Sequence, residues 1–275
     1  MKKTLATLAL ALIGSLLMIA PAEAHTGRAG DHILGHRCRT YDASVTNEDT
    51  VAALRDTARN VPGAICEIDA VRIADGTVIV WHDGTWRRVA DAASLRRAGV
   101  RPGDRVNRAN WRQVSQIRTK GGEPVPRLED MIRAAAQEGI VLAVDVRNAI
   151  PQTQADGLVE LATSLGADVR YYQLVQGRCA TTIINRFRTA GADVGIKLLG
   201  ECPMTAERMQ QLGATFTQQL SFLLSDGFIA DANARGIEVG VLDRGMTEDR
   251  AKSLIARGVS RVLLDRPAEA VGWDI

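Results

Sequence analysis

The sequence predicts an α/β fold in which eight parallel strands close into a (β/α)8 barrel, also called a TIM barrel. Two observations predict it. Short apolar runs typical of strands alternate with amphipathic stretches typical of helices along most of the chain. Eight such runs are joined by seven segments long enough to cross over between parallel strands. An open doubly wound sheet is the alternative that the same alternation permits.

The eight predicted strands occupy residues 32–37, 64–71, 140–146, 171–175, 194–199, 214–218, 237–242 and 260–264. Helical patterns lie between them at residues 48–59, 127–138, 152–165, 179–190, 204–212, 226–235 and 247–257. Each helix would return the chain to the start of the next strand, as a parallel barrel requires.

One apolar run breaks this alternation. The stretch TVIVWHD begins at Thr77, only a few residues after the second strand, which is too close for a parallel crossover. The Asp75-Gly76 turn therefore predicts an antiparallel hairpin arm after that strand. Residues 84–125 are rich in Arg, Gly and Pro, and we interpret them as a small insertion over the barrel mouth with one or two short helices.

The first 24 residues have the pattern of a secretory signal peptide, with a basic start, an apolar stretch and a cleavage site at about Ala24. A retained anchor is the alternative, because the apolar stretch approaches the length of a membrane span. We expect residues 25–275 to form one secreted domain, extracellular or periplasmic, with no stable membrane anchor. Without Lys2, Lys3 and Glu23 the chain keeps 32 basic and 31 acidic residues, a balance that does not favour a nucleic-acid partner.

Four cysteines follow the signal peptide, and an even number permits disulfides in an exported chain. Cys179 and Cys202 each follow one of two neighbouring predicted strands by a few residues, so we predict that they pair. A bond between Cys38 and Cys66 is expected to be less favoured, because Cys66 lies in an apolar strand and should face the helices.

Acidic side chains interrupt two predicted strands. Glu67 and Asp69 share one face of the second strand, and Asp145 and Arg147 share one face of the next barrel strand. These positions are near the carboxyl ends of the strands, where barrels carry their active sites. Three buried carboxylates favour one divalent cation, Mg²⁺ or Ca²⁺, bound through oxygen ligands. Salt bridges to Arg37 and Arg147 are the alternative.

Histidines end two apolar runs next to these acids. His36 precedes Arg37 at the end of the first strand, and His82 precedes Asp83 at the end of the hairpin arm. A single histidine at a strand end is more often structural. Two histidines beside an acidic cluster favour general acid–base catalysis near neutral pH.

Five sequence blocks carry a family resemblance: GHRCRTYDASVTNEDTVAAL, GAICEIDAVRIADGTVIVWHDGTWRRV, VPRLEDMI, LAVDVRN and GVSRVLLDRP. Their order, from about residue 34 to 270, resembles that of glycerophosphodiester phosphodiesterases, a family of (β/α)8 barrels. The resemblance implies an acid/base pair, metal ligands and phosphate-binding arginines. The implied acid/base pair is His36 and His82. The implied metal ligands are Glu67, Asp69 and Asp145. The implied phosphate-binding arginines are Arg37 and Arg147.

Three positions depart from the family pattern. Cys38 stands where the family usually has Gly, Asp145 where it usually has Glu, and Arg147 where it usually has Lys. Asp145 is shorter by one methylene, whereas Arg147 keeps the charge and can bind phosphate through two donors. Glu48 matches a Glu-Asn-Thr block that helps to build the site near His36.

The resemblance implies a secreted, metal-dependent phosphodiesterase that hydrolyses glycerophosphodiesters or a related small or lipid-derived phosphodiester. It also implies attack by the substrate's own neighbouring hydroxyl and a cyclic phosphate intermediate. A phospholipase of the sphingomyelinase D kind and a non-catalytic ligand-binding barrel are the alternatives. We predict that Trp86, on the insertion, contacts the substrate; a packing role for Trp86 is equally compatible with the sequence.

Overall fold

The computed structural model describes residues 29–39, 47–176 and 179–275, so the predicted signal peptide lies outside it. The strands are β1 (Ile33–Gly35), β2 (Ile65–Arg72), β3 (Val78–Val80), β4 (Val141–Val146), β5 (Val169–Val175), β6 (Asp193–Leu198), β7 (Phe216–Gln219), β8 (Glu238–Val241) and β9 (Arg261–Leu264). Among the described residues, no helix has both the length and the apolarity to cross a membrane.

Eight of these strands form a closed parallel ring, which confirms the (β/α)8 barrel and excludes the open sheet. The order runs β1-β9-β8-β7-β6-β5-β4-β2, and β1 also pairs with β2, so the ring is complete. β3 lies outside the ring and pairs antiparallel with the last residues of β2, with Ala70 opposite Val80. The predicted hairpin arm is therefore present.

The helices are α1 (Val51–Asn60), α2 (Ala92–Arg97), α3 (Trp111–Val114), α4 (Leu128–Glu138), α5 (Gln152–Leu165), α6 (Thr182–Thr189), α7 (Ala206–Gln211), α8 (Asp226–Ala234) and α9 (Glu248–Ala256). Short 3-10 helices occupy Ala29–His32, His36–Cys38, Val106–Arg108, Ser221–Leu223 and Pro267–Ala270. Side-chain caps explain several starts: the Thr50 hydroxyl, for example, accepts from the amide of Ala53 at 3.1 Å. All seven predicted helical segments contain a helix.

The main core lies between the strands and the surrounding helices, and a smaller apolar cluster fills the inside of the barrel. Cys66 and Ile68 belong to the outer core. The inner cluster contains Leu34, Ile65, Ala143, Tyr172 and Phe216. Because side chains alternate along β2, placing Ile65 inside also turns Glu67 and Asp69 inside, as the sequence predicts.

The insertion packs on the hairpin arm around its own apolar cluster. Ile79, Trp81 and Trp86 are buried in it together with residues of α2 and α3 and their flanking loops. The Ala74 amide donates to the Ala109 carbonyl at 2.9 Å, which joins the turn of the hairpin to the insertion. The two short helices of this segment agree with the sequence interpretation.

Both cysteine pairs form disulfides. The Cys179–Cys202 bond is confirmed, with the two Cα atoms 5.7 Å apart. The expectation against Cys38–Cys66 is wrong: these residues are also bonded, with a Cα separation of 4.8 Å. Cys66 does face the helices, but Arg37 and Cys38 both adopt φ of 54°, and this left-handed turn brings Cys38 into the same outer core.

Candidate active site

The three predicted metal ligands meet inside the barrel, near the carboxyl ends of β2 and β4. The strand register sets Asp69 directly beside Asp145, and Glu67 lies one inward position lower on β2. Their side chains are almost completely buried, and each offers an oxygen within 4.8 Å of the others. The sequence therefore predicted this cluster correctly as a set of neighbours.

Two carboxylate oxygens in the cluster lack a hydrogen-bond partner among the described residues: Asp69 Oδ2 and Asp145 Oδ1. Both Glu67 oxygens are used, since the Tyr172 hydroxyl donates to one at 2.6 Å and the Arg37 amide to the other at 2.8 Å. Buried polar atoms without partners are rare and costly. Three clustered carboxylates, two of which keep an oxygen without a hydrogen-bond partner, suit a hard divalent cation.

Positive side chains also reach this cluster. Arg147 Nη1 lies 3.1 Å from both Asp69 Oδ1 and Asp145 Oδ2. Lys197 Nζ donates to Asp145 Oδ2 at 3.0 Å and lies 3.9 Å from Glu67 Oε1. The salt bridges considered as the alternative to a metal site are thus present as well, but they give Asp69 Oδ2 and Asp145 Oδ1 no hydrogen bond.

The buried charges move the pKa values of neighbouring acids in opposite directions. Burial and the negative charges of Glu67 and Asp145 raise the pKa of Asp69 to about 7. Burial also opposes ionisation of Glu67, but the charge of Lys197 and the hydrogen bond from Tyr172 contribute to a pKa of about 2 for Glu67. A bound cation would therefore favour the charged form of Asp69.

Each predicted catalytic histidine is held by a carboxylate at the same ring atom. His36 Nδ1 lies 2.6 Å from Asp265 Oδ1, and His82 Nδ1 lies 2.7 Å from Asp83 Oδ1. The side chains are 21% and 28% exposed, respectively, so both rings remain accessible. A carboxylate at Nδ1 orients an imidazole and leaves Nε2 for proton transfer.

The two predicted phosphate-binding arginines both contact the acidic cluster. Arg37 Nη1 donates to Glu48 at 3.1 Å, and its Nε lies 3.7 Å from Asp69 Oδ2. The Arg147 side chain is 30% exposed and faces a cleft of about 470 Å³. The cleft is lined by Val71, His82, Asp83, Gly84, Thr85, Arg105, Val106, Asn107, Arg147 and Asn148.

Trp86 does not join these residues. Its side chain is fully buried, and its ring centroid lies 4.9 Å from that of Trp81 within the insertion core. This position favours the packing role over contact with the substrate. The insertion reaches the site through Arg88, which donates to both Glu48 and Asp83, and contributes Arg105 and Asn107 to the cleft.

Sequence reasoning missed three residues of the site. Lys197 and Tyr172 point inward from β6 and β5, and Asp265 follows β9. A lone lysine in the apolar run VGIKLL was a usable signal, because an inward lysine at mid-strand needs an acidic partner. Asp265 directly follows the last predicted strand, but its pairing with His36 spans 229 positions of sequence, which a local pattern does not reveal.

The barrel and its polar mouth are those of the TIM-barrel enzymes, whose chemistry takes place at the carboxyl ends of the strands. Within that class, residues 25–269 match the model of the glycerophosphoryl diester phosphodiesterase family, and the chain belongs to that family. It is therefore a phosphodiesterase, and the resemblance noted in the sequence is confirmed. A search of curated proteins found no match.

Solved structures with the same fold include three that bear on this family. A glycerophosphodiester phosphodiesterase from Parabacteroides distasonis is 15% identical, with a TM-score of 0.67, covering 89% of this chain and 96% of that one. An Oleispira antarctica phosphodiesterase in complex with the product sn-glycerol-3-phosphate is 16% identical, with a TM-score of 0.67 and coverage of 87% and 94%. An Agrobacterium tumefaciens glycerophosphodiester phosphodiesterase is 17% identical, with a TM-score of 0.67 and coverage of 87% and 98%.

Proposed function

We propose that this protein is an exported, metal-dependent phosphodiesterase that hydrolyses glycerophosphodiesters. The observation that carries the proposal is that buried oxygens of Asp69 and Asp145 lack a hydrogen-bond partner among the described residues, although Arg37 and Arg147 both contact the cluster. A salt-bridge network that served only stability would have little reason to leave buried carboxylate oxygens without partners.

The acidic cluster is the proposed cation site. Glu67, Asp69 and Asp145 would hold Mg²⁺ or Ca²⁺, because both ions prefer oxygen ligands. When bound, such an ion polarises a phosphate oxygen and stabilises the negative charge that develops on it. Arg37 and Arg147 would bind the phosphate from either side, and the exposure of Arg147 leaves room for it to turn toward the substrate.

The two histidines are the proposed proton-transfer groups. With Nδ1 of each ring bound to an aspartate, Nε2 of one ring can take a proton from the substrate's neighbouring hydroxyl. Nε2 of the other ring can then protonate the leaving alkoxide. Water would complete hydrolysis of the cyclic phosphate, with the two histidines exchanging roles.

The cleft beside His82 is the proposed site for one alcohol portion of the diester. It is continuous with Arg147 on the barrel and with Arg105 and Asn107 on the insertion. The product of the Oleispira antarctica neighbour, sn-glycerol-3-phosphate, supports a glycerol phosphate as the other portion. The insertion would then influence which head group is accepted, through Arg105 and Asn107 and not through Trp86.

Export is proposed from the signal-peptide pattern of residues 1–24 and from cysteine usage. All four cysteines are in disulfides, which persist in the periplasm or outside the cell and are rare in the cytosol. Expression of the full chain in a secreting host tests this. N-terminal sequencing should show cleavage near Ala24, whereas an intact N-terminus would contradict export by this signal.

The test of the activity is a metal-controlled assay over a panel of glycerophosphodiesters, lysophospholipids and diacyl phospholipids. EDTA-treated protein should be inactive and should regain glycerophosphodiester hydrolysis with Mg²⁺ or Ca²⁺. Asp145→Asn should not regain it, whereas Glu238→Gln, at the opposite end of the barrel, should behave as wild type. Full activity in EDTA would contradict the metal site, and turnover of lipids alone would favour the phospholipase alternative.

A further inference from the structure

A chain of charged contacts leads from His36 into the wall of the barrel mouth. His36 Nδ1 contacts Asp265 Oδ1, and Arg39 Nη2 forms a salt bridge with the same oxygen at 2.9 Å. Arg39 Nε in turn lies 3.8 Å from Glu48 Oε2. Arg39 is only 9% exposed, so this arm is largely shielded from solvent, where screening would weaken it.

A second chain leads from His82 to the same glutamate. His82 is bound to Asp83, and Arg88 Nε donates to the other Asp83 oxygen at 2.7 Å. Arg88 also donates to both oxygens of Glu48, at 2.5 and 3.0 Å, in a bidentate salt bridge. Planar guanidinium–carboxylate pairs of this kind fix orientation as well as distance.

Glu48 is therefore the point at which the two arms meet. Its side chain is 2% exposed and also accepts from Arg37 at 3.1 and 3.2 Å. Burial opposes its ionisation, but the hydrogen bond from Arg88 and the charge of Arg37 outweigh this and lower the pKa of Glu48. A buried glutamate that remains charged among three arginines has little freedom to move.

We propose that Glu48 is a positioning residue that orients both histidine rings at once, through Arg39 and Asp265 on one side and Arg88 and Asp83 on the other. The proposal rests on the proposed function only in taking the histidines as the proton-transfer groups. Glu48 touches neither ring, so its influence must pass through Arg39 and Arg88. Each arginine contacts the aspartate that holds a ring, and Arg39 Nη2 also lies 3.2 Å from His36 Nδ1.

One consequence concerns the insertion. Arg88 belongs to the insertion, whereas Glu48, Arg39 and Asp265 belong to the barrel. The His82 arm is complete only when the insertion is docked at the mouth. The insertion thus contributes to the geometry of the chemical step as well as to the cleft that would receive a head group.

Nuclear magnetic resonance of ¹⁵N-histidine in the folded, Mg²⁺-supplemented protein tests the proposal without relying on activity. The ring signals are assigned with His36→Gln and His82→Gln. In the wild type, both neutral rings should carry the proton on Nδ1, where the aspartates accept it. Asp265→Ala should shift only the His36 ring toward the Nε2–H form, and Asp83→Ala only the His82 ring. Glu48→Gln should disturb both rings.

Glu238→Gln is the matched control, because Glu238 also contacts two arginines, Arg170 and Arg261, but at the other end of the barrel. It should leave both rings unchanged. If Glu48→Gln does not fold by circular dichroism, Arg39→Met and Arg88→Met replace it, and each should disturb only the ring of its own arm. Unchanged rings in folded Glu48→Gln, or in both arginine variants, would overturn the proposal.

Kinetics provide the second measurement. Glu48→Gln should lower kcat by about 10²-fold, the lower end of what proton transfer contributes, and the rise in KM from releasing Arg37 should be smaller than that loss. Glu48→Asp keeps the charge and should recover part of that loss. A rise in KM at unchanged kcat would instead assign Glu48 to substrate binding and overturn the positioning role. If the rings respond while no phosphodiester is turned over, the network stands and the proposed function fails.

Discussion

The two ends of the barrel use charge in different ways. At the end where the strands begin, Glu238 is 41% exposed and pairs with Arg170 at 2.9 Å and Arg261 at 3.5 Å. These charges lie on one side of the inner apolar cluster, which includes Phe216 and Ile65. At the mouth, on the other side of the inner apolar cluster, the acids Glu67, Asp69 and Asp145 are at most 1% exposed.

The difference shows that the acids of the mouth are buried at a cost in folding free energy. The acid at the opposite end, Glu238, stays partly solvated, so its ion pairs contribute little to stability and cost little, although Arg170 Nε and Arg261 Nε there are also buried without a hydrogen-bond partner among the described residues. A buried polar atom without a hydrogen-bond partner costs about 1–3 kcal/mol, and the cluster of Glu67, Asp69 and Asp145 contains two such carboxylate oxygens. An arrangement that is costly in the metal-free protein becomes favourable when a cation binds it, since binding to the native state adds to stability.

The largest expected contrast is between histidines at the two ends. His36→Ala and His82→Ala should each lower kcat by roughly 10²–10⁴-fold with the fold intact by circular dichroism, because a positioned proton donor or acceptor contributes that much. His32→Ala is the control: His32 lies near the opposite end, where its Nδ1 contacts the Ser260 carbonyl at 3.0 Å. It should retain activity.

Leaving-group chemistry separates the two roles. A p-nitrophenyl diester needs little protonation of its leaving oxygen, so the variant that lacks the general acid should be partly rescued on it. The variant that lacks the general base should not be. Near-normal turnover by both variants on the best natural diester would mean that the histidines are structural.

The insertion provides the next contrast, between buried and exposed residues of one segment. Trp86→Ala removes a fully buried ring and should cost roughly 3–5 kcal/mol, measured as lost stability in denaturant unfolding. Arg105→Ala removes an exposed charge from the cleft and should leave stability unchanged. It should change the ratio of kcat/KM between anionic and neutral head groups by about two- to fivefold, as suits an exposed charge. Identical ratios in Arg105→Ala and wild type would remove the cleft from substrate choice.

The pH dependence of stability is the smallest expected effect. The pKa of Asp69 is about 7 in the folded, metal-free protein, while an unfolded aspartate ionises near 3.9. Ionisation of Asp69 therefore costs folding free energy that grows as the pH rises from about 4 to about 7 and is complete above that. In EDTA, Asp69→Asn should raise Tm by about 3 °C or more at pH 8 and give no gain at pH 4. An equal shift at both pH values would contradict this account.

Alternation and spacing predicted the barrel, the hairpin arm and the acidic cluster because each depends on local geometry. An inward Ile65 fixes the direction of Glu67 and Asp69, and a gap too short for a crossover fixes the hairpin. The features that were missed depend on contacts distant in sequence or on unusual backbone. The Cys38–Cys66 bond requires the left-handed turn at Arg37, and the His36–Asp265 contact requires the closed ring.

The same limit applies to Trp86. Its nearness to His82 in sequence suggested a place at the mouth, but the insertion forms a core of its own, and a large aromatic ring is most stable inside it. The sequence pattern predicted that a small insertion with one or two short helices follows the hairpin. It did not predict which side chains of that segment face the cleft, because those depend on how the segment docks.

Calorimetric titration of Mg²⁺ and Ca²⁺ into EDTA-treated, desalted protein tests the central claim most directly, namely that the mouth acids form a cation site and the acids at the other end do not. Wild type and Glu238→Gln should bind one ion per chain, and Asp145→Asn should lose measurable binding while remaining folded. Absence of binding in the wild type, or equal binding by the wild type and Asp145→Asn, would contradict the account.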